Sequence, residues 1–144
     1  MFCYIQDTME IYITNVPIIS GSNASEVFRK VRDSFRYIAS KTKRRPYVRS
    51  VYFNKEKVFI GPFLNHMFEK NWRDTVRRLK LFDCAIDLVR NTRKLPEVVH
   101  DPHHIYDILY KFCGITRGNC VFFVQIKENK ISGNKTLISV YPER

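Results

Sequence analysis

Residues suited to phosphodiester chemistry gather in two strand-like segments near the C-terminus. Residues 122–129, FFVQIKEN, and residues 136–142, TLISVYP, alternate apolar and polar side chains. Because successive side chains of a strand point to opposite faces of a sheet, one face would be apolar and the other polar. A lysine stabilises phosphate charge, and a tyrosine can carry a proton. The polar face would present four candidate catalytic residues, Gln125, Lys127, Ser139 and Tyr141.

The turn at residues 131–133 sets the pairing between these two strands. A three-residue loop with Gly133 in the left-handed conformation is predicted, since glycine adopts that conformation readily. Such a loop places Gln125 opposite Ser139. It also places Lys127 opposite Leu137, so that the polar side chains adjoin one another.

A third strand is predicted over residues 106–115, before a turn at Arg117-Gly118. A two-residue turn places Tyr110 opposite Gln125, whereas a three-residue turn shifts the pairing by one. Tyr110 is therefore a further catalytic candidate. The plainer alternative for the whole polar face is the solvated side of a half-buried sheet, which is ordinary in antiparallel sheets.

The charge of the chain favours a polyanionic partner. The 144 residues carry 25 Lys and Arg against 14 Asp and Glu, a formal net charge of +11. Such a field attracts phosphate, so nucleic acid is the leading partner class and an anionic membrane surface the second. Residues 25–49 and 63–94 hold nearly all of the excess.

Two basic surfaces are predicted within those segments. The first follows a helix end, and tyrosines interleave with its cations as in surfaces that stack bases. The second is one face of a helix and includes Arg77, a further catalytic candidate. Cations at a helix C-terminus are favourable without any ligand, which is the alternative reading of the first surface. The candidate nucleic-acid contacts are Lys43, Arg44, Arg45, Arg49, Lys57, Lys70 and Arg73.

The order of predicted elements indicates an α+β domain. Residues 1–24 are predicted to be an N-terminal arm or edge strand, and residues 25–144 a single domain. That domain begins with a helix capped by Ser25, followed by a hairpin over 47–60. Helices over 63–80 and 84–94, the second started by Asp83, precede a polar loop over 95–104. A closing antiparallel meander then forms one sheet packed on the helices.

Other functional classes lack support in the sequence. The loop HDPHH at residues 100–104 lacks a fixed metal-ligand spacing, so no metal site and no cofactor are predicted. His66 is expected to face solvent, and Asp74 and Asp87 to pair with cations along their helices. No nucleotide-binding, zinc-protease or esterase motif occurs. The unpatterned cysteines and the lack of a signal peptide or apolar span predict a cytoplasmic protein with no membrane partner.

The order helix, basic loop, strand pair, helices and meander resembles the barnase–EndoU–colicin–RelE superfamily of small endoribonucleases. The RelE-like, phage-associated branch is the most similar. The resemblance covers residues 25–142 and depends mainly on the two closing strands, KVFI at 57–60 and NWRDTVRRLK at 71–80. Many members use a histidine on the closing strands, and this chain has none there. The resemblance implies metal-independent RNA cleavage by the 2′-hydroxyl, with Gln125, Lys127 and Ser139 on the catalytic face.

Three functions therefore follow as expectations. The first is an endoribonuclease, free or ribosome-dependent, of the toxin kind that an acidic antitoxin or immunity protein would cover. The second is a non-catalytic, basic nucleic-acid-binding module of a phage or mobile element. The third is an inhibitor or interaction domain for an acidic protein. RNA is the expected partner under the first two.

Overall fold

The structure, a computed structural model, describes residues 9–67, 72–100 and 102–143. In these ranges the chain forms four helices and a curled mixed sheet of seven strands, about 32% helix and 32% strand. The predicted α+β class is confirmed. Among the described residues, none of the helices is long and apolar enough to cross a membrane.

The elements follow the predicted order, with a strand in the N-terminal segment as predicted and one strand added before the meander. The single helix predicted over 63–80 is described as two helices, Gly61–Met67 and Trp72–Leu79. The helices are α1 (Ala24–Ser40), α2 (Gly61–Met67), α3 (Trp72–Leu79) and α4 (Phe82–Asn91). The strands are β1 (Ile11–Ile13), β2 (Tyr47–Ser50), β3 (Glu56–Phe59), β4 (Glu97–His100), β5 (Asp107–Ile115), β6 (Val121–Asn129) and β7 (Lys135–Pro142).

The sheet joins the hairpin and the meander into one layer. Its strand order is β1-β5-β6-β7-β3-β2, and β4 also pairs with β5. The hairpin β2–β3 and the meander β5–β6–β7 are antiparallel, as predicted. They meet through a parallel pairing in which Val58 lies opposite Lys135 and Phe59 opposite Thr136. The sheet is therefore mixed, because β1 also pairs with β5 in parallel.

The two predicted helix caps, Ser25 and Asp83, need correction. Asn23, and not Ser25, caps α1, since its side chain accepts a hydrogen bond of 2.9 Å from the backbone N–H of Glu26. Asparagine is as good a cap as serine, and Asn23 has the extended backbone that a cap requires. Helix α4 starts at Phe82, with Asp83 inside its first turn. Burial raises the pKa of the Asp83 carboxyl.

The predicted loop over residues 95–104 contains a strand, β4. Val98 and Val99 favour strand conformation, and β4 pairs antiparallel with the first half of β5. Strand β1 occupies the other half of the same edge of β5. The hydroxyls of Tyr12 and Thr14 each donate to Asp87 Oδ2 at 2.8 Å. Asp87 therefore anchors β1 to α4, where a solvated ion pair with Arg90 or Lys94 was expected.

The helices pack on one face of the sheet and form the core there. Phe63, Phe82 and Phe122 come from α2, α4 and β6 and are fully buried together. Burial of such a side chain contributes about 1.5–3 kcal/mol to stability. The opposite side of the sheet, here called the outer face, carries the alternate residues of the same strands.

Candidate nucleic-acid interface

The outer face brings residues of the three meander strands together. Gln125 lies opposite Ser139, and Phe123 opposite Tyr141, as the predicted register required. On the other side of Gln125 lies Lys111 of β5. These side chains alternate with buried neighbours such as Val124 and Val140 and therefore face away from the core.

A bulge in β7 corrects the position of Lys127. After the pair Gln125–Ser139, the next pair is Ile126–Leu137, so Ile138 is an extra residue on β7. Lys127 consequently lies opposite Thr136 and not opposite Leu137. The bulge turns both Ile138 and Ser139 away from the core and keeps Leu137 in it.

Tyr110 lies on the wrong face for the predicted catalytic role. The turn before β6 has three residues, Arg117–Asn119, and its φ of 63° at Asn119 is left-handed. Tyr110 therefore pairs with Ile126 on the core side. Its hydroxyl donates to Glu128 Oε1 at 2.8 Å, and burial, followed by that contact, raises the pKa of Tyr110 well above its usual value.

A groove forms where α3 approaches the outer face of β6 and β7. It has a volume of about 700 Å³ and brings together four of the candidate catalytic residues, Gln125, Ser139, Tyr141 and Arg77. The helical pattern predicts only an ion pair for Arg78, yet its guanidinium also lines the groove. Arg78 Nη1 lies 3.5 Å from Ser139 Oγ, at the outer limit of a hydrogen bond.

Asp74 holds the two groove arginines in place. Its Oδ2 lies 2.8 Å from Arg78 Nε, an ion pair without aligned hydrogen-bond geometry. Its Oδ1 lies 3.4 Å from Arg77 Nη2. Arg78 is only 19% exposed, against 58% for Arg77, so Arg78 is the arginine fixed beside the sheet.

His66 of α2 lines a second cavity that shares two residues with the groove. This cavity is about 520 Å³, and Gln125 and Ser139 belong to both. His66 is exposed, as predicted, but the prediction did not include its position at this cavity. The missing information is tertiary, because nothing in the local helical pattern shows that α2 lies against the bulged segment of β7.

Lys127 lies outside the groove. It lines a separate shallow cavity of about 180 Å³ with His104, Asp107 and Leu109. Lys127 remains on the outer face, in the cross-strand row formed by Tyr47, Phe59 and Thr136. The structure thus separates Lys127 from the other candidate catalytic residues.

The β2–β3 end of the outer face combines cations with aromatic rings. Tyr47 lies opposite Phe59, with ring centroids 6.2 Å apart. The guanidinium of Arg45 stands 4.1 Å from the Phe59 centroid, and Lys57 Nζ 4.7 Å from that of Tyr47. Arg49 also stacks on Tyr47, at 5.5 Å. Attraction between cation and ring holds this cluster together.

A second aromatic pair lies on the same face at the groove. The ring centroids of Phe123 and Tyr141 are 5.4 Å apart. Lys111 Nζ lies 4.4 Å from the Phe123 centroid, and the Arg78 guanidinium 5.6 Å from that of Tyr141. The outer face therefore carries two aromatic pairs, each flanked by cations.

Of the remaining predicted contacts, some lie in the loop that follows α1, and one lies on α3. Lys43 and Arg44 are exposed in that loop, beside Arg45. Arg73 is exposed on α3. Lys70 lies outside the described residues, so the predicted face of Lys70, Arg73 and Arg77 is described only in part.

Comparisons with protein-family models, with curated proteins and with solved structures find no match for this chain. The resemblance to the endoribonuclease superfamily therefore stays a prediction.

Proposed function

We propose that the protein binds single-stranded RNA across the outer face of its sheet. The observation that carries this proposal is the pair of aromatic clusters, Tyr47–Phe59 and Phe123–Tyr141, with cations at each. Single-stranded nucleic acids bind where bases stack on aromatic rings and cations follow the phosphates. The net charge of +11 supplies the long-range attraction.

The spacing of the clusters supports an extended strand of RNA. One cluster lies on β2 and β3 and the other on β6 and β7, so a chain that contacts both would cross the outer face from the β2 side to β6. Stacking contributes about 1–3 kcal/mol per base and tolerates any sequence. We therefore expect weak sequence preference and strong dependence on salt.

Binding of a 3′-labelled oligonucleotide, followed by fluorescence anisotropy, tests the proposal. Tyr47→Leu should weaken binding to single-stranded RNA by about tenfold or more, the equivalent of one stacked base. Tyr106→Leu is the matched control, since Tyr106 is 56% exposed but lies in the turn before β5. Equal affinity of both variants and wild type, or preference for an acidic protein over RNA, would contradict the proposal.

A second function, metal-independent RNA cleavage, is favoured by the position of His66 beside the groove. The 2′-oxygen of the RNA attacks its neighbouring phosphorus, and the bond to the 5′-oxygen breaks. His66 would accept the 2′-hydroxyl proton, because imidazole exchanges protons near neutral pH, and water would give a proton to the departing 5′-oxygen. Arg77 and Arg78 would stabilise the charged phosphorane. The products are a 2′,3′-cyclic phosphate and a 5′-hydroxyl.

Incubation of the protein with RNA in EDTA tests this second function. Cyclic-phosphate ends should form with wild type and with His104→Ala, a control histidine outside both groove cavities. His66→Ala should lose activity by about 100-fold or more, the usual loss when a proton-transfer group is removed. Intact RNA with the wild-type protein, on free RNA and on translating ribosomes, would leave binding as the function.

Cytoplasmic localisation and an acidic antitoxin-like partner belong to the same proposal. Cys84, Cys113 and Cys120 are free thiols, which suits a reducing compartment. An acidic protein would compete with RNA for the same cations.

A further inference from the structure

A cavity lined by four cations lies beside the β2–β3 end of the outer face. Its volume is about 430 Å³, within the range of small-molecule sites. Its residues come from the end of α1, from β2 and the turn after it, and from α4. They are Lys41, Thr42, Tyr47, Val48, Arg49, Val51, Lys55 and Arg90.

The cavity has a surplus of positive charge that its own surroundings do not neutralise. Helices α1 and α4 both end here, at Ser40 and Asn91, and each C-terminus contributes about half a negative charge. Four cations against two half charges leave roughly three positive charges. No carboxylate lines the cavity, and no described carboxylate forms an ion pair with any of the four cations.

The backbone of Lys55, which lines the cavity, is held in a conformation of high free energy. Lys55 has a φ of 66°, the left-handed region that side chains disfavour by about 1–2 kcal/mol. Its N–H donates to Ser50 O at 2.7 Å, and its carbonyl accepts from Arg49 Nη1 at 3.0 Å. The backbone N–H of Val51 donates to Arg90 O at 3.3 Å. These contacts fix the backbone of Lys55 and of Arg90 and the guanidinium of Arg49.

We propose that this cavity binds the terminal phosphate group of a nucleotide, namely the 5′-phosphate end of the RNA that crosses the outer face. This inference rests on the proposed RNA binding. Tyr47 belongs both to the cavity and to the first aromatic cluster, so a base stacked on it would place its 5′-phosphate among the cations. A terminal phosphate carries more charge than an internal phosphodiester, and arginine recognises its oxygens in pairs.

The test compares 3′-labelled RNAs of one sequence that end in a 5′-triphosphate, a 5′-monophosphate or a 5′-hydroxyl. At physiological salt we expect the phosphorylated ends to bind about tenfold tighter than the hydroxyl end, in the order triphosphate, monophosphate, hydroxyl. Arg90→Gln should abolish this difference and leave the affinity for 5′-hydroxyl RNA within about twofold. Arg93→Gln is the matched control, since Arg93 is exposed and does not line the cavity.

Each outcome has a distinct meaning. Tight binding of all three RNAs with equal affinity would overturn the proposal that the cavity binds a terminal phosphate, and would leave the proposed RNA binding standing. Weak binding of all three would overturn both. Excess ATP distinguishes the two sources of a terminal phosphate. If ATP displaces the triphosphate RNA from the wild-type protein but not from Arg90→Gln, the cavity binds free nucleotides. If the RNA stays bound in excess ATP, the cavity binds the 5′ end of RNA.

Discussion

Arg78 Nη1 lies 3.5 Å from Ser139 Oγ, although 61 residues separate the two in sequence. The contact exists because the bulge at Ile138 turns Ser139 away from the core, while Asp74 holds the Arg78 guanidinium at 2.8 Å. A regular strand would have put Ile138 on the opposite side of the sheet from Ser139. The bulge and the ion pair together build the groove in which a phosphate would meet both side chains.

The position of Arg78 predicts a contrast with Lys127. Arg78→Gln should lower RNA cleavage by about 100-fold or more, because one charge-stabilising donor at the reacting phosphate is lost. Lys127→Gln removes the same charge outside the groove and should leave cleavage within about twofold. Initial rates of cyclic-phosphate formation in EDTA measure both. Equal losses would show that the reacting phosphate lies between the two residues, and not in the groove.

The strands of the site could be predicted because the alternation of apolar and polar residues along a strand is a local pattern. Alternation in FFVQIKEN and the glycine at position 133 predicted Gln125 opposite Ser139, and this pairing is present because two differences cancel. The turn has four residues, 130–133, and not the predicted three, and the bulge at Ile138 restores the predicted pairing. Gly133 has a φ of 75°, the left-handed conformation expected of it. The α+β class followed from the same patterns, since strands and helices were segregated along the chain.

The rest depended on contacts between distant segments. The bulge at Ile138 has no local signal, because isoleucine suits either face of a strand. The turn Arg117–Asn119 allowed two lengths, and the longer one moved Tyr110 to the core side. His66 and Arg78 are on helical positions that the sequence leaves exposed. Only the packing of α2 and α3 beside β7 brings them to Ser139.

The loop after α1 should contribute to RNA binding through its charge and should not distinguish one RNA sequence from another. Neutralising Arg44 and Arg45 together, as the double glutamine variant, should weaken binding of different RNA sequences by the same factor. The slope of log K against log salt should fall by about 0.7 for each phosphate of the single strand that the variant no longer neutralises. Anisotropy titrations over a range of salt concentrations measure this slope. Weaker binding confined to one RNA sequence would indicate that these arginines read bases.

Gly114 should tolerate no side chain. An added Cβ would lie 2.5 Å from Phe122 Cζ and 2.9 Å from Leu88 Cδ1, both in the core. Gly114→Ala should therefore lower the free energy of unfolding by about 1–3 kcal/mol, the usual result of overpacking. Gly61→Ala is the control, since nothing lies within 4 Å of its added Cβ. Urea unfolding compares the two, and equal stabilities would contradict the described packing of β5 against α4.

Tyr12 should make stability fall in alkaline solution. Burial first, and then the hydrogen bond to and charge of Asp87, raises the pKa of Tyr12 from 10.0 to about 12. The unfolded chain thus releases this proton near pH 10 and the folded chain near pH 12. The stabilisation is complete below pH 10 and is lost towards pH 12, by about 1 kcal/mol after screening by solvent. Urea midpoints from pH 8 to 11 should converge for wild type and Tyr12→Phe; parallel curves would contradict the contact.

Lys55 should lower the free energy of unfolding and contribute to the binding of 5′-phosphorylated RNA. Lys55→Gly removes the strain of a left-handed φ of 66° and should raise the free energy of unfolding by about 1 kcal/mol. The same variant should lose the preference for 5′-phosphorylated RNA, because the cavity keeps only three cations. Lys57→Gly, which removes an equal charge from β3, should instead lower stability by about 0.5–1 kcal/mol and retain the preference. Urea unfolding and anisotropy on the same samples measure both quantities. A Lys55→Gly protein that is more stable and still prefers phosphorylated ends would show that Lys55 does not touch the terminal phosphate.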